Sequence, residues 1–130
     1  MPRKILLCDD EAHILRAAEI KFKRAGYDVL LAGDGEEAWR LIIDERPAVL
    51  VTDCQMPRLN GLQLAERIRQ NPATSYLPVI MLSAKGFELP ADEICRQFGL
   101  RAILAKPFSP RELFQRVESE LAAEASLAGV

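Results

Sequence analysis

Several kinds of chemistry are missing from this chain before any motif is sought. It has a single histidine, His13, and three cysteines, Cys8, Cys54 and Cys95, with no Cys-x-x-Cys spacing. An odd, sparse cysteine set of this kind argues against a disulfide framework or a zinc site and suits a reducing, cytoplasmic setting. No apolar run approaches the ~20 residues that span a bilayer; the longest, such as Val79 to Leu82, are far shorter. Met1-Pro2-Arg3-Lys4 leads into a strand-like stretch too short for a signal peptide, with no small-residue cleavage site after it. Membrane insertion is therefore not expected. A net charge of −2 offers no broad basic surface, so direct nucleic-acid binding is not expected either. Arg58, Arg67 and Arg69 lie close in sequence and read as a solvated helix face.

What is present suits one compact domain. The 130 residues leave no room for two of ordinary size, and 49% hydrophobic with 28% charged residues is a globular balance rather than a disordered one. Five short apolar runs, Ile5 to Cys8, Val29 to Ala32, Val49 to Thr52, Val79 to Leu82 and Ala102 to Leu104, read as strands covered on both faces. The segments between them carry apolar stripes at helical spacing. These are Leu15, Ala18, Phe22 and Ala25; Ala38, Leu41 and Ile42; Leu62, Ala65 and Ile68; Ile94, Cys95 and Phe98; and Leu113, Phe114, Val117 and Leu121. Gly26, Pro47, Asn71-Pro72 and Gly99 supply stops, and Ser109-Pro110 supplies a cap and first turn. Strand–helix alternation repeated five times predicts an α/β fold, a parallel sheet with helices on both faces. The domain is expected over residues 1–123, with 124–130 a C-terminal tail or the start of a linker; the stretch Ala122 to Val130 is alanine-rich and extends the last helix or begins that linker.

Ligands of open parallel sheets bind beyond the carboxyl ends of the strands. After the first strand come Asp9, Asp10 and Glu11; at the ends of the third, fourth and fifth come Asp53, Ser83 and Lys106. Crowded carboxylates repel and raise one another's pKa, and a hard divalent cation such as Mg²⁺ relieves that repulsion. A lysine facing Asp53 would favour its ionised, nucleophilic form, and hydroxyl and ammonium donors suit the equatorial oxygens of a transferring phosphoryl group. Plainer roles exist for each residue taken singly. Asp9 or Asp10 would cap the first helix, Asp53 with Gln55, Pro57, Asn60 and Gly61 would form a turn, and Lys106 would be a loop residue. Their joint placement at successive strand ends is what singles them out.

The stretches Ile5-Leu6-Leu7-Cys8-Asp9-Asp10-Glu11, Val51-Thr52-Asp53-Cys54-Gln55-Met56-Pro57 with Gly61, Met81-Leu82-Ser83-Ala84-Lys85 and Lys106-Pro107-Phe108 resemble the receiver domain of two-component response regulators, from about Arg3 to Leu121. The resemblance implies a (βα)5 flavodoxin-like three-layer sandwich with strand order 2-1-3-4-5. It implies a regulatory phosphoacceptor rather than an enzyme, Asp53 taking a phosphoryl group from a phosphohistidine on a sensor histidine kinase or a histidine phosphotransfer protein. Asp10, Asp53 and the backbone carbonyl of Gln55 would ligate Mg²⁺, with Asp9 holding a metal-bound water. Lys106 would contact the phosphoryl group. Ser83 would be drawn towards it and pull the loop after the fourth strand, altering the surface offered to an output protein.

Some positions depart from the family pattern or carry less. Ile103 stands where the family usually has Tyr or Phe, which puts the usual coupling to the output face in doubt. Gly99-Leu100-Arg101-Ala102 lacks an acidic pair common in regulators that dimerise through that face, so no such dimer is expected on phosphorylation. The resemblance puts Gln55 and Lys85 at positions where the family tunes dephosphorylation. Cys54 reads as a packed thiol, His13 as a surface residue and Trp39 as packing beside the second helix stripe. Three other functions compete with the phosphoacceptor. A pseudo-receiver serving only as an interaction module is disfavoured by the intact acids, serine and lysine. A haloacid-dehalogenase-type phosphohydrolase would need a second Asp where Gln55 stands. A flavin site would need a hydroxyl- and glycine-rich cradle where the acidic Asp9-Asp10-Glu11 lies.

Overall fold

The computed structural model describes residues 3–56, 58–84 and 90–128, and the side chains of these apart from 12 and 124–128. Pro57 and Lys85 lie outside the described residues. Ten elements alternate along the chain: β1 (Lys4–Cys8), α1 (Ala12–Arg24), β2 (Asp28–Ala32), α2 (Gly35–Glu45), β3 (Val49–Asp53), α3 (Gly61–Gln70), β4 (Val79–Ser83), α4 (Ala91–Phe98), β5 (Ala102–Ala105) and α5 (Pro110–Ala128). All strand pairs are parallel, in the order β2-β1-β3-β4-β5, which is the expected topology.

Period-two alternation divides the sheet's side chains between two cores. Leu6, Cys8, Leu50 and Met81 face a cluster built with Ala38 and Ile42 of α2, Leu64, Ala65 and Ile68 of α3, and Ile94 of α4. Ile5, Leu7, Val49, Val51, Ile80 and Leu82 face Leu15, Ala18 and Phe22 of α1 and Leu113, Val117 and Leu121 of α5. Every residue of β3 and β4 is buried, which explains their unbroken apolar runs. On β5, Ile103 pairs in register with Met81 and is half-buried against the first cluster.

Local chemistry sets the helix ends. Asp34 caps α2 through the Glu37 N–H, and Asn60 with Gln63 forms a reciprocal capping box at α3. Ser109 Oγ accepts from the Glu112 N–H at 3.3 Å at the start of α5. Gly99 closes α4 in the left-handed region, with φ of 68°. The helix α5 runs to Ala128, so the expected tail begins as a helical extension.

The three arginines do not form one solvated face. Arg58 lies in the β3–α3 loop and pairs with Asp34. Arg67 lies over the Trp39 ring, 5.6 Å from its centroid, and bonds Glu36. Arg69 turns inward to main-chain carbonyls of Ser75 and Gly99.

Candidate functional site

Because the strands are parallel, their carboxyl ends share one edge, and the register brings the expected residues to it. Asp53 ends β3 opposite Leu82, Ser83 ends β4 opposite Ala105, and the Lys106 N–H then donates to the Ser83 carbonyl at 2.8 Å. Asp9 follows β1 and is tied to β2 by its N–H, 3.1 Å from the Ala32 carbonyl oxygen.

The side chains converge. Lys106 Nζ lies 2.8 Å from Asp9 Oδ2 and 3.1 Å from Asp53 Oδ1. Carboxylate oxygens of Asp9, Asp10 and Asp53 all lie within 4.8 Å of one another. Asp9, Asp53 and Ser83 are buried, whereas Asp10 and Gln55 are exposed. The side chain of Lys106 is only 12% exposed, so it is no ordinary loop lysine. Neither Asp9 nor Asp10 caps α1. That position belongs to Glu11, which makes no side-chain cap, and Asp9 Oδ1 instead accepts the Glu11 N–H at 2.9 Å in a local turn.

The electrostatics follow from this crowding. Burial pushes the Asp53 carboxyl above its ordinary range; the hydrogen bond from Lys106 opposes the shift and the Asp9 charge adds to it. The lysine thus moderates an upward shift rather than producing a depressed value. Asp10 is also raised, by desolvation first and then by its hydrogen bond and charge contact with Asp9. For Lys106, burial alone would lower the pKa, but the bonds to Asp9 and Asp53 win and hold it charged. Three carboxylates against one ammonium leave a formal surplus of two negative charges in a small volume. Close-set hard oxygen donors with surplus negative charge fit a divalent cation of the Mg²⁺ class.

This crowding has a measurable cost. Asp10→Asn is expected to stabilise the metal-free domain by about 0.5–1 kcal/mol, a solvent-screened effect because Asp10 is exposed. Urea unfolding in EDTA reads it; a loss of stability would show that the Asp10 charge is not repelled.

Two flanking loops are braced against this edge, and their partners were not evident from the motifs. Gly35 packs so closely on Leu59 that an added Cβ would lie 2.0 Å from the Leu59 carbonyl oxygen. Met56 Sδ lies 3.2 Å from Cys8 Sγ and 3.8 Å from Thr52 Oγ1, holding the loop that follows Asp53. Asp34-Gly35-Glu36-Glu37 and Asn60-Gly61-Leu62-Gln63 do carry readable capping signals for those loops. Cys54 is half-buried, its thiol pushed up by burial and then by the Asp53 charge, which disfavours a thiolate. His13 is exposed.

A family model described as the response regulator receiver domain matches residues 5–118. The chain belongs to this receiver family. A receiver domain is the phosphoacceptor switch of two-component signalling, and the convergence of acids and lysine at one sheet edge is in keeping with that role. The receiver is 38% identical to the alkaline phosphatase synthesis transcriptional regulatory protein PhoP of Bacillus subtilis, over 97% of this chain and 53% of that protein. It is 36% identical to the phosphate regulon transcriptional regulatory protein PhoB of Pseudomonas aeruginosa, over 92% of this chain and 52% of that protein. The chain thus spans about half the length of these curated relatives. Among solved structures, the receiver domain of the Francisella response regulator 1452 superimposes with a TM-score of 0.84 at 34% identity, covering 94% of this chain and 98% of that one. Among the described residues, no helix of the receiver is long and apolar enough to cross a membrane.

Proposed function

We propose that Asp53 is the phosphoacceptor, served by Lys106, Ser83 and a cation held by Asp9, Asp10 and Asp53 together with the Gln55 backbone carbonyl. The observation that carries this reading is the placement of Lys106 Nζ within hydrogen-bond reach of both Asp53 and Asp9 at a buried strand end. A carboxylate oxygen of Asp53 attacks the phosphorus of a phosphohistidine; the O–P bond forms as the P–N bond breaks, and the departing imidazole takes a proton from solvent. Lys106 turns from Asp53 to the incoming phosphoryl oxygens, remaining charged because two carboxylates hold it so. Ser83 supplies a hydroxyl donor to the same oxygens. Mg²⁺, when bound, neutralises charge on the transferring group.

The donor class is a sensor histidine kinase or a histidine phosphotransfer protein, and the reaction is regulatory self-modification rather than turnover of a separate substrate. Ser83 moving towards the phosphoryl group biases the chain after β4 and so the surface offered to a partner. The names of the relatives mark them as transcriptional regulators, and gene regulation in the cytoplasm is the output class we assign to the whole protein. Within that protein this receiver, with a net charge of −2, makes no direct nucleic-acid contact. The intact set of acids, hydroxyl and lysine favours the phosphoacceptor over a pseudo-receiver.

Incubation with acetyl phosphate and Mg²⁺ is expected to add one phosphoryl group by intact mass, and none when Mg²⁺ is chelated. Absence of an adduct together with no binding of the stable analogue beryllofluoride would leave the pseudo-receiver as the better reading.

A further inference from the structure

Among the described residues, the two ends of α4 are held very differently. At its start, Ala91, Asp92 and Glu93 are exposed, and the cap position, Pro90, makes no side-chain bond. Ile94 is the helix's one buried residue. At its end the anchoring is dense. The N–H groups of Gly99 and Leu100 both donate to the Cys95 carbonyl, Leu100 is buried, and the Arg101 N–H donates to Val79 of β4 at 2.8 Å.

Arg69, from the last turn of α3, completes that anchor. Its Nε donates to the Gly99 carbonyl at 3.2 Å, Nη2 donates to the same oxygen, and Nη1 donates to the Ser75 carbonyl at 2.9 Å. The guanidinium is half-buried. Burial and then the charge of Arg101 lower its pKa, so the carbonyls serve as its compensation for lost water. A Cβ at Gly99 would lie 2.3 Å from Arg69 Nε. The left-handed turn therefore favours glycine there, and the seated guanidinium leaves no room for a side chain. Charge-assisted bonds to two carbonyls in a fixed fork suit arginine and not lysine.

We propose that Arg69 is a positioning residue that pins the carboxyl end of α4 and thereby sets the resting bias of the switch. The proposal rests on the phosphoacceptor reading, in which a pull begins at Ser83. That pull reaches α4 from the side of its start, while the Arg69 clamp resists displacement of the far end. As proposed, these bonds loosen when α4 shifts, so losing them destabilises the arrangement that makes them more than the shifted one. A two-state element responds to such a difference by shifting towards the activated state.

Calorimetric titration with beryllofluoride in Mg²⁺ tests this. Arg69→Gln is expected to bind at least about tenfold more tightly than the parent, the size set by one charge-assisted bond lost from one state. Amide exchange across 92–100 is expected to rise while the central strands stay protected. Gly99→Asn gives an independent route, because Asn tolerates the left-handed backbone while its side chain displaces the guanidinium; the same gain is expected should Arg69→Gln fold poorly. Arg67→Gln, on the part of α3 that faces Trp39 and Glu36, is expected to leave affinity unchanged. Unchanged or weaker binding in both clamp variants would overturn the proposal. Failure of the parent itself to bind beryllofluoride would instead overturn the phosphoacceptor reading.

Discussion

Replacing Lys106 with methionine is expected to lower the stability of the metal-free domain by about 3–5 kcal/mol, the usual cost of removing one partner from a buried ion pair. The lysine's side chain is 12% exposed, and the carboxylates it bridges, Asp9 and Asp53, are 0% and 8% exposed. Methionine preserves most of the volume but leaves two buried acids facing each other with Asp10 alongside. The deficit has a defined pH dependence. Asp53 already titrates above the ordinary carboxylate value of 3.8. At pH between the unfolded and folded values the folded state therefore holds a proton that the unfolded chain has released; the resulting stabilisation is fully present below the unfolded value and is lost as pH rises through the folded one. Without the Lys106 hydrogen bond the upward shift grows, so the variant's deficit is largest at neutral pH and shrinks on acidification. Added Mg²⁺ should restore more stability to the variant than to the parent, by linkage. Urea titrations across pH, with and without Mg²⁺, measure both; a deficit independent of pH would mean that lost packing, not charge, dominates.

The second large effect is expected from Gly61→Ala. An added Cβ would lie 2.4 Å from the carbonyl oxygen of Asp53 and 3.0 Å from Cys54 Cα. Those atoms are backbone, and the Gly61 N–H is bonded to the Cys54 carbonyl at 2.8 Å, so no flexible side chain can yield. The chain after Asp53 must shift, which costs about 1–3 kcal/mol as overpacking. On the phosphoacceptor reading it also moves the nucleophile relative to Lys106, and a misplacement of this kind slows reaction by about 10–100-fold. Gly33→Ala is the matched control, since nothing lies within 4 Å of the place its added methyl would take. Comparable rates of acetyl phosphate uptake in the parent and both variants would show that the β3–α3 loop accommodates the methyl without moving Asp53.

Much of this architecture was legible in the residues. Strands buried on both faces must be apolar throughout, so β1, β3 and β4 stood out, and polar residues at their ends marked the edge where Asp9, Asp53, Ser83 and Lys106 meet. The strand order came from the family resemblance, because a parallel βα repeat is compatible with several orders. Less visible were features that depend on a partner distant in sequence. Arg67 and Arg69 sit two apart on α3 and look equivalent, yet one lies on Trp39 and the other beneath the α4 cap, because only one faces Gly99. On α4 the stripe of Ile94, Cys95 and Phe98 suggested a buried face, whereas Cys95 and Phe98 are half-buried. The inward turn of Lys106 likewise required knowing that Asp9 would be carried to it by a strand almost the whole chain away.

The phosphoacceptor assignment is tested most directly by locating the phosphoryl group. Brief reaction with acetyl phosphate and Mg²⁺, reduction of any acyl phosphate with borohydride and tandem mass spectrometry of the digest would assign the modified residue. Label confined to Asp53, and none anywhere in an Asp53→Asn variant, is the expected result. Label on Asp9 or Asp10 in the parent, or an unlabelled Asp53 beside a modified site elsewhere, would contradict it.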